Sequence, residues 1–228
     1  MNLSVAPEPG PTAPAASWLA RAWWLATAVV VLVGIVTQVV VTGTSTGGFY
    51  PHNPQRLFNI FAYFTVQSNL LVGATSLVLA LRPASGGLLL ITLRLDGVLG
   101  IAVTGVVFHL ALNSLQDLHG TAAFADLLLH TASPVLGVGG WLLFGPRRSV
   151  DRAVIAYALI FPIAWLAFTL LRGSAVGFWP YSFVDVDELG LGRTLFNCLL
   201  VAVLFLVLAL GASRLDRALP GRNVRPRI

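Results

Sequence analysis

Lysine is absent from all 228 residues; the fourteen positive charges are all arginine. A chain without lysine cannot form a retinal or pyridoxal Schiff base, nor build a Ser–Lys dyad. There is one cysteine, Cys198, so no internal disulfide can form. Charge is scarce as well, at 10% of residues against 57% apolar. A soluble domain usually carries about 25% charged residues to cover its surface. No His-Glu-x-x-His, Gly-x-Ser-x-Gly, Walker loop or Cys-x-x-Cys occurs. ATP-driven transport within this chain is therefore unsupported, and so is a metal site or any cofactor. The basic balance comes from loop and tail arginines and is poor evidence for nucleic acid. The Ala, Gly, Val, Leu and Arg bias suits a GC-rich bacterial genome.

Long apolar runs are abundant. With about 20 apolar residues per span, six segments emerge, at Trp18–Thr42, Leu57–Leu81, Leu88–Leu112, Ala122–Phe144, Ala153–Leu171 and Thr194–Ser213. The predicted fold is all-α, a polytopic transmembrane helical bundle of about six spans, because helices satisfy their own backbone in lipid. Residues 1–17, rich in Pro and Ala, predict a disordered tail, and 214–228 a basic tail. The first seventeen residues do not suit a signal peptide, because their basic flank is slight and the apolar stretch after Trp24 is too long. If the N-terminus is inside, eleven arginines lie on the cytoplasmic side and three (Arg56, Arg172 and Arg193) outside. That asymmetry predicts both termini in the cytoplasm and a multi-pass protein of the cell membrane. Trp18, Trp23, Trp24 and Trp179 fit an interfacial aromatic belt.

Polar side chains inside spans are costly, which makes each a candidate functional residue. The second span packs Tyr63, Thr65, Gln67, Ser68 and Asn69 into seven residues. Thr65, Ser68, Asn69 and Ser76 share one helical face, and Tyr63 and Gln67 point the other way. The fourth span opens with Asp126 and His130 as i, i+4 neighbours, followed by Ser133 and Pro134. A carboxylate one turn from a histidine can orient the imidazole and stabilise its charged form. His109 and Asn113 stand near the outer end of the third span. Counted as unbroken helix at about 1.5 Å per residue, Thr65 and His130 both lie roughly 12 Å below the outer surface. The last outer loop carries Phe178-Trp-Pro-Tyr-Ser-Phe183 and the acids Asp185, Asp187 and Glu188. Its aromatics, Trp179 and Tyr181 among them, suit a cap over a cavity or a loop lying on headgroups. Its acids could bind a cation, though no metal spacing is present. For Ser68, Asn69, Ser76 and Ser133, interhelical hydrogen bonding is the competing explanation.

The order of these motifs resembles the androgen-induced and androgen-dependent TFPI-regulating six-span membrane family. It is also similar to uncharacterised bacterial six-span proteins with a Tyr-x-Thr-x-x-Ser-Asn pattern in span two. The resemblance to the first group implies hydrolysis of fatty acid esters of hydroxy fatty acids by an intramembrane threonine and histidine. Residue by residue, these fall on Thr65, in Tyr63-Phe-Thr-Val-Gln-Ser-Asn69, and His130, in Leu128-Leu-His-Thr-Ala-Ser-Pro134. The spacing adds Asp126 as orienter and Ser68 or Asn69 as oxyanion donor. Tyr63, His109 and Ser133 complete the pocket expected around them. The partners expected are membrane lipids and a lipid-like substrate. A small-solute or proton-linked carrier or receptor using the same pocket, or a structural subunit, are the alternatives. The lack of an inverted repeat speaks against the carrier.

Overall fold

The computed structural model describes residues 17–45, 53–112 and 118–220. Within them, six helices are long and apolar enough to cross a membrane, and no strand forms among the described residues. The chain is a polytopic α-helical membrane protein. The tail before Ser17, Asn113, and Arg222, Arg225 and Arg227 lie outside the described residues.

Helix α1 (Trp18–Thr44) starts on Ser17, whose hydroxyl accepts the Ala20 N–H at 3.2 Å. A short α2 (Asn53–Ile60) leads to α3 (Phe64–Leu81), and a turn leads to α4 (Leu88–Val107). The fourth crossing is built from α5 (Gly120–Leu127), a π turn over Leu128–Ala132 and α6 (Ser133–Phe144). The fifth joins α7 (Arg152–Ala158) to α8 (Ile160–Val176). After a loop and the short α9 (Val186–Leu189), α10 (Leu191–Ala218) makes the last crossing.

The most consequential departure from the expected spans is in the second. Instead of one helix over 57–81, the chain breaks at Phe61–Tyr63. No glycine or proline stands there, and the break is held by tertiary partners. The Phe61 carbonyl accepts from Gln67 Nε2 at 2.9 Å, and the Ala62 carbonyl from Trp165 Nε1 at 2.9 Å. The Tyr63 carbonyl accepts from Val66 N and Gln67 N. A broken helix is tolerated at such a place because protein supplies the bonds that lipid cannot. Thr65 becomes the second residue of a new helix, so the depth counted along an unbroken helix does not apply to it.

Proline explains the π turn in the fourth crossing. Pro134 has no N–H, so the Leu129 carbonyl has no i+5 donor, while Ser133 N bonds back to the Leu128 carbonyl. Asn69 Nδ2 fills the gap from α3, donating to Leu129 O at 3.2 Å.

Close helix approach defines the core. A Cβ at Gly97 of α4 would stand 2.7 Å from Val72 N of α3, and one at Gly100 would stand 2.4 Å from Ser68 Oγ. Small residues at such crossings let backbones pack tightly where lipid gives no hydrophobic drive between helices. Trp24, expected in the interfacial belt, is instead buried with Ala20, Leu79, Ala80 and Phe144. Trp18 does face outward, at 79% exposure. Arg94, one of the eleven arginines counted toward the cytoplasmic side, lies buried within α4.

At the arginine-rich end, α10 is fastened to the turn before α7. Buried Asp216 accepts Ser149 N at 2.7 Å and Val150 N at 2.9 Å through one carboxylate oxygen. Ser213 donates to the Val150 carbonyl at 2.9 Å. Beside it, burial lowers the pKa of Arg147, an effect that the Asp216 carboxylate opposes. Replacing Asp216 by alanine leaves two buried N–H groups without an acceptor, and should cost about 2–4 kcal/mol of stability. Thermal unfolding in detergent measures it. An unchanged midpoint would mean that water replaces the carboxylate.

Candidate functional site

A cavity of about 320 Å³ lies between α3, α4, α8 and α10, within the size range of small-molecule sites. Its wall is apolar except for Thr65, Thr104, His130, Trp165, Tyr181 and Cys198. Four of its apolar wall residues, Ile163 of α8 and Leu199, Val203 and Leu206 of α10, are also exposed on the outside of the bundle. The cavity thus opens sideways between α8 and α10, onto the surface that faces hydrocarbon.

Thr65 is buried at the start of α3. The first N–H groups of a helix have no partner within it, and Thr65 N–H instead donates to the Tyr181 hydroxyl at 3.1 Å. Thr65 Oγ1 and the same hydroxyl also share a hydrogen bond at 3.1 Å. Tyr181 comes from the aromatic loop, which therefore closes over the site as a cap. Trp179 anchors the loop, its ring over Gly173, where a Cβ would meet ring carbons at 2.2 Å. Trp179 Nε1 donates to Asp187 at 2.8 Å. Asp185 caps α9 by accepting Asp187 N and Glu188 N. Two of the three acids are thereby used within the loop. Arg172 reaches from α8 to Asn59 of α2 and stacks on Phe58 and Phe178 at 5.5 and 5.2 Å. Tyr63, at the break, packs edge-on against Tyr181 and Phe178.

Burial pushes the Tyr181 hydroxyl from 10.0 up to about 12, against the opposing pull of its bonds to Thr65. The raised value means that Tyr181 holds its proton throughout the physiological range. Its contribution to stability is full below pH 10.0 and is lost as pH rises through about 12.

His130 lies in the π turn, and its ring stacks on Phe108 with centroids 4.1 Å apart and planes at 11°. Its Nδ1 is 2.8 Å from Asp126 Oδ1. The carboxylate sits off the N–H direction, so the two groups are close without a directed hydrogen bond. Thr65 and His130, from different crossings, share the cavity wall, but no hydrogen bond joins them in this state. Thr65 is held by Tyr181, and His130 by Phe108 and Asp126.

Ser68 and Asn69 do not reach the cavity wall. Ser68 is fully buried against Gly100. Asn69 Nδ2 donates to Thr65 O at 2.9 Å and to Leu129 O, while Ser133 donates to Asn69 Oδ1. The oxyanion role expected of Ser68 or Asn69 therefore has no support in their placement. Asn69 and Ser133 tie α3 to the fourth crossing. His109 lies outside this cavity, its Nε2 3.3 Å from Thr131 Oγ1. Sequence reasoning placed Tyr181 in the cap but missed its contact with Thr65. The one signal was a tyrosine beside proline in an aromatic loop.

No group of three or more metal-ligating side chains forms among the described residues. No family model, curated protein or solved structure matches the chain.

Proposed function

We propose that this membrane protein hydrolyses esters of long-chain acyl groups drawn sideways from the bilayer, with Thr65 as nucleophile and His130 as base. One observation carries the reading. A hydroxyl and an imidazole from separate crossings stand in the wall of one apolar cavity that opens toward lipid.

The chemistry begins with displacement of the cap. An entering ester carbonyl takes the place of the Tyr181 hydroxyl beside Thr65, freeing Oγ1. Such catalytic bonds commonly tighten only once substrate is bound. Oγ1 attacks the acyl carbon as His130 takes its proton, then returns it to the leaving alkoxide. The Thr65 N–H at the start of α3, released by Tyr181, is the donor beside the developing oxyanion. A donor that is fixed in a dry site stabilises such charge strongly. Asp126, 2.8 Å from Nδ1, orients the imidazole.

The purified protein, offered a panel of long-chain esters, should release fatty acid. Acid quenching during turnover should leave an acyl group on the peptide that contains Thr65. Saturable lipid binding with neither turnover nor adduct would overturn the hydrolase and make the cavity that of a receptor or carrier. The hydroxyl of Thr65 bonded to Tyr181 rather than to a base is what keeps that second reading in view.

A further inference from the structure

Phe108 and His130 face each other from two separate π turns. One ends α4, over Phe108–Leu112, and the other spans Leu128–Ala132. A π turn inserts a residue into a helix and swings side chains out of the usual register, frequently at functional sites. Here two such turns meet, and the rings they displace form a stacked wall one ring thick on each side.

Behind that wall is a second cavity, of about 310 Å³, lined by His109, Asp126 and Thr131 together with Phe108, Ala123 and Leu127. Phe108 lines both cavities. The two spaces differ in chemistry. The first is almost wholly apolar, whereas the second gathers a carboxylate, an imidazole and a hydroxyl within a few residues. It reaches the surface beside Leu118, which is exposed, and Asp126 is partly exposed. A water occupies about 30 Å³ and needs two to four polar partners, which the carboxylate, imidazole and hydroxyl of the second cavity can supply together. His130 belongs to both sides, its ring in the apolar wall and its Nδ1 against Asp126, which lines the polar cavity.

We infer that the second cavity is a water chamber that supplies His130, and that Phe108 is the partition that confines the entry of that water into the lipid pocket to the edge of the His130 ring. The geometry stands alone; its purpose rests on the hydrolase reading above. Hydrolytic release of an acyl group from Thr65 consumes one water. The water oxygen bonds to the acyl carbon, the carbon–Oγ1 bond breaks, and the water proton passes through His130 to Thr65 Oγ1. The products are a carboxylic acid and free Thr65. Lipid thus enters between α8 and α10, and water enters from the opposite side of the Phe108–His130 wall.

Cys198, the only thiol of the chain and a wall residue of the lipid pocket, reports on the partition without any assay of hydrolysis. In the full-length protein in nanodiscs, a lipid-soluble maleimide should modify Cys198 at least about tenfold faster than a charged methanethiosulfonate of similar intrinsic reactivity. Ala123→Cys, on a Cys198→Ser background, should react readily with the charged reagent. Phe108→Ala should open Cys198 to the charged reagent, raising its rate about tenfold or more, and Phe108→Leu, which keeps an apolar plug, should raise it much less. An unreactive Ala123→Cys would remove the chamber. A Cys198 that stays closed to the charged reagent in a folded, monodisperse Phe108→Ala protein would remove the partition. Ala123→Trp, which fills the chamber, should leave the acylation burst in place while slowing steady turnover. Steady turnover unaffected beside a normal burst would refute the chamber as water source. Absence of both turnover and an acyl adduct in the unaltered protein would instead sink the hydrolase reading and leave the labelling result standing.

Discussion

Thr65→Ala should lower ester turnover by at least about a thousandfold and leave the fold nearly intact. The two effects separate because Tyr181 binds Thr65 twice. Its hydroxyl accepts the backbone N–H, which alanine keeps, and shares a hydrogen bond with Oγ1, which alanine lacks. The lost bond is worth only about 1 kcal/mol, so thermal unfolding should move little. Thr65→Ser, which keeps an attacking hydroxyl, should retain measurable turnover. His130→Ala should cost about a hundredfold to ten-thousandfold, the usual range for a general base. Asp126→Asn should cost less than His130→Ala, since its carboxylate is off the Nδ1–H direction and positions the base without taking the proton. Initial rates on a single long-chain ester, with unfolding midpoints for each variant, check the series. Undiminished turnover by a folded Thr65→Ala protein would remove Thr65 from the mechanism.

How much of this was legible in the sequence depends on whether a feature is set by the chain itself or by its neighbours. The six crossings come from long apolar runs between breakers, and helix is the economical answer for backbone in lipid. Their cores were therefore readable to within a turn or so. The break at Phe61–Tyr63 was not, because nothing local causes it. Trp165, Gln67 and Tyr181 supply the bonds that hold it open, and two of the three are far away in sequence. The π turn at Leu128–Ala132 was half legible, since Pro134 announces a missing N–H but not how the helix will absorb it. The polar face of α3 divided in a way no pattern foretold. Thr65, at the helix start, reaches a cavity, while Ser68 and Asn69, one turn on, meet Gly100 and the Leu129 carbonyl. Trp24 shows the converse error. Its place near a span end suggested an interface, and the close pass of α1 against α3 buried it. Asp126 and His130 were paired by i, i+4 spacing alone, and the contact exists at 2.8 Å. What spacing could not supply was Phe108, which divides two cavities from another crossing.

The largest loss of stability should come from one added methyl group, at Gly97. A Cβ there meets backbone of α3, with Val72 N at 2.7 Å and Leu71 C and Val72 Cα at 3.0 Å. Backbone in a helix cannot rotate aside as a side chain can, so α3 and α4 must separate along the crossing. Overpacking usually costs about 1–3 kcal/mol, and this contact belongs at or above the top of that range. Gly100→Ala should do less harm per contact, because its nearest atom, Ser68 Oγ at 2.4 Å, can swing to another rotamer. Gly211→Ala, with nothing within 4 Å, should be neutral or stabilising, since alanine is the better helix former by about 1 kcal/mol. Unfolding midpoints in one detergent should therefore rank Gly211→Ala highest, then Gly100→Ala, then Gly97→Ala. Equal midpoints for Gly97→Ala and Gly211→Ala would contradict the close crossing itself. The crossing matters beyond stability because α3 begins at Phe64, beside Thr65, and α4 runs directly into Phe108. Forcing the two helices apart shifts the hydroxyl and the cavity partition relative to each other. Any Gly97→Ala protein that survives in the membrane should accordingly lose turnover and admit the charged thiol reagent to Cys198, two defects from a methyl group that touches neither residue.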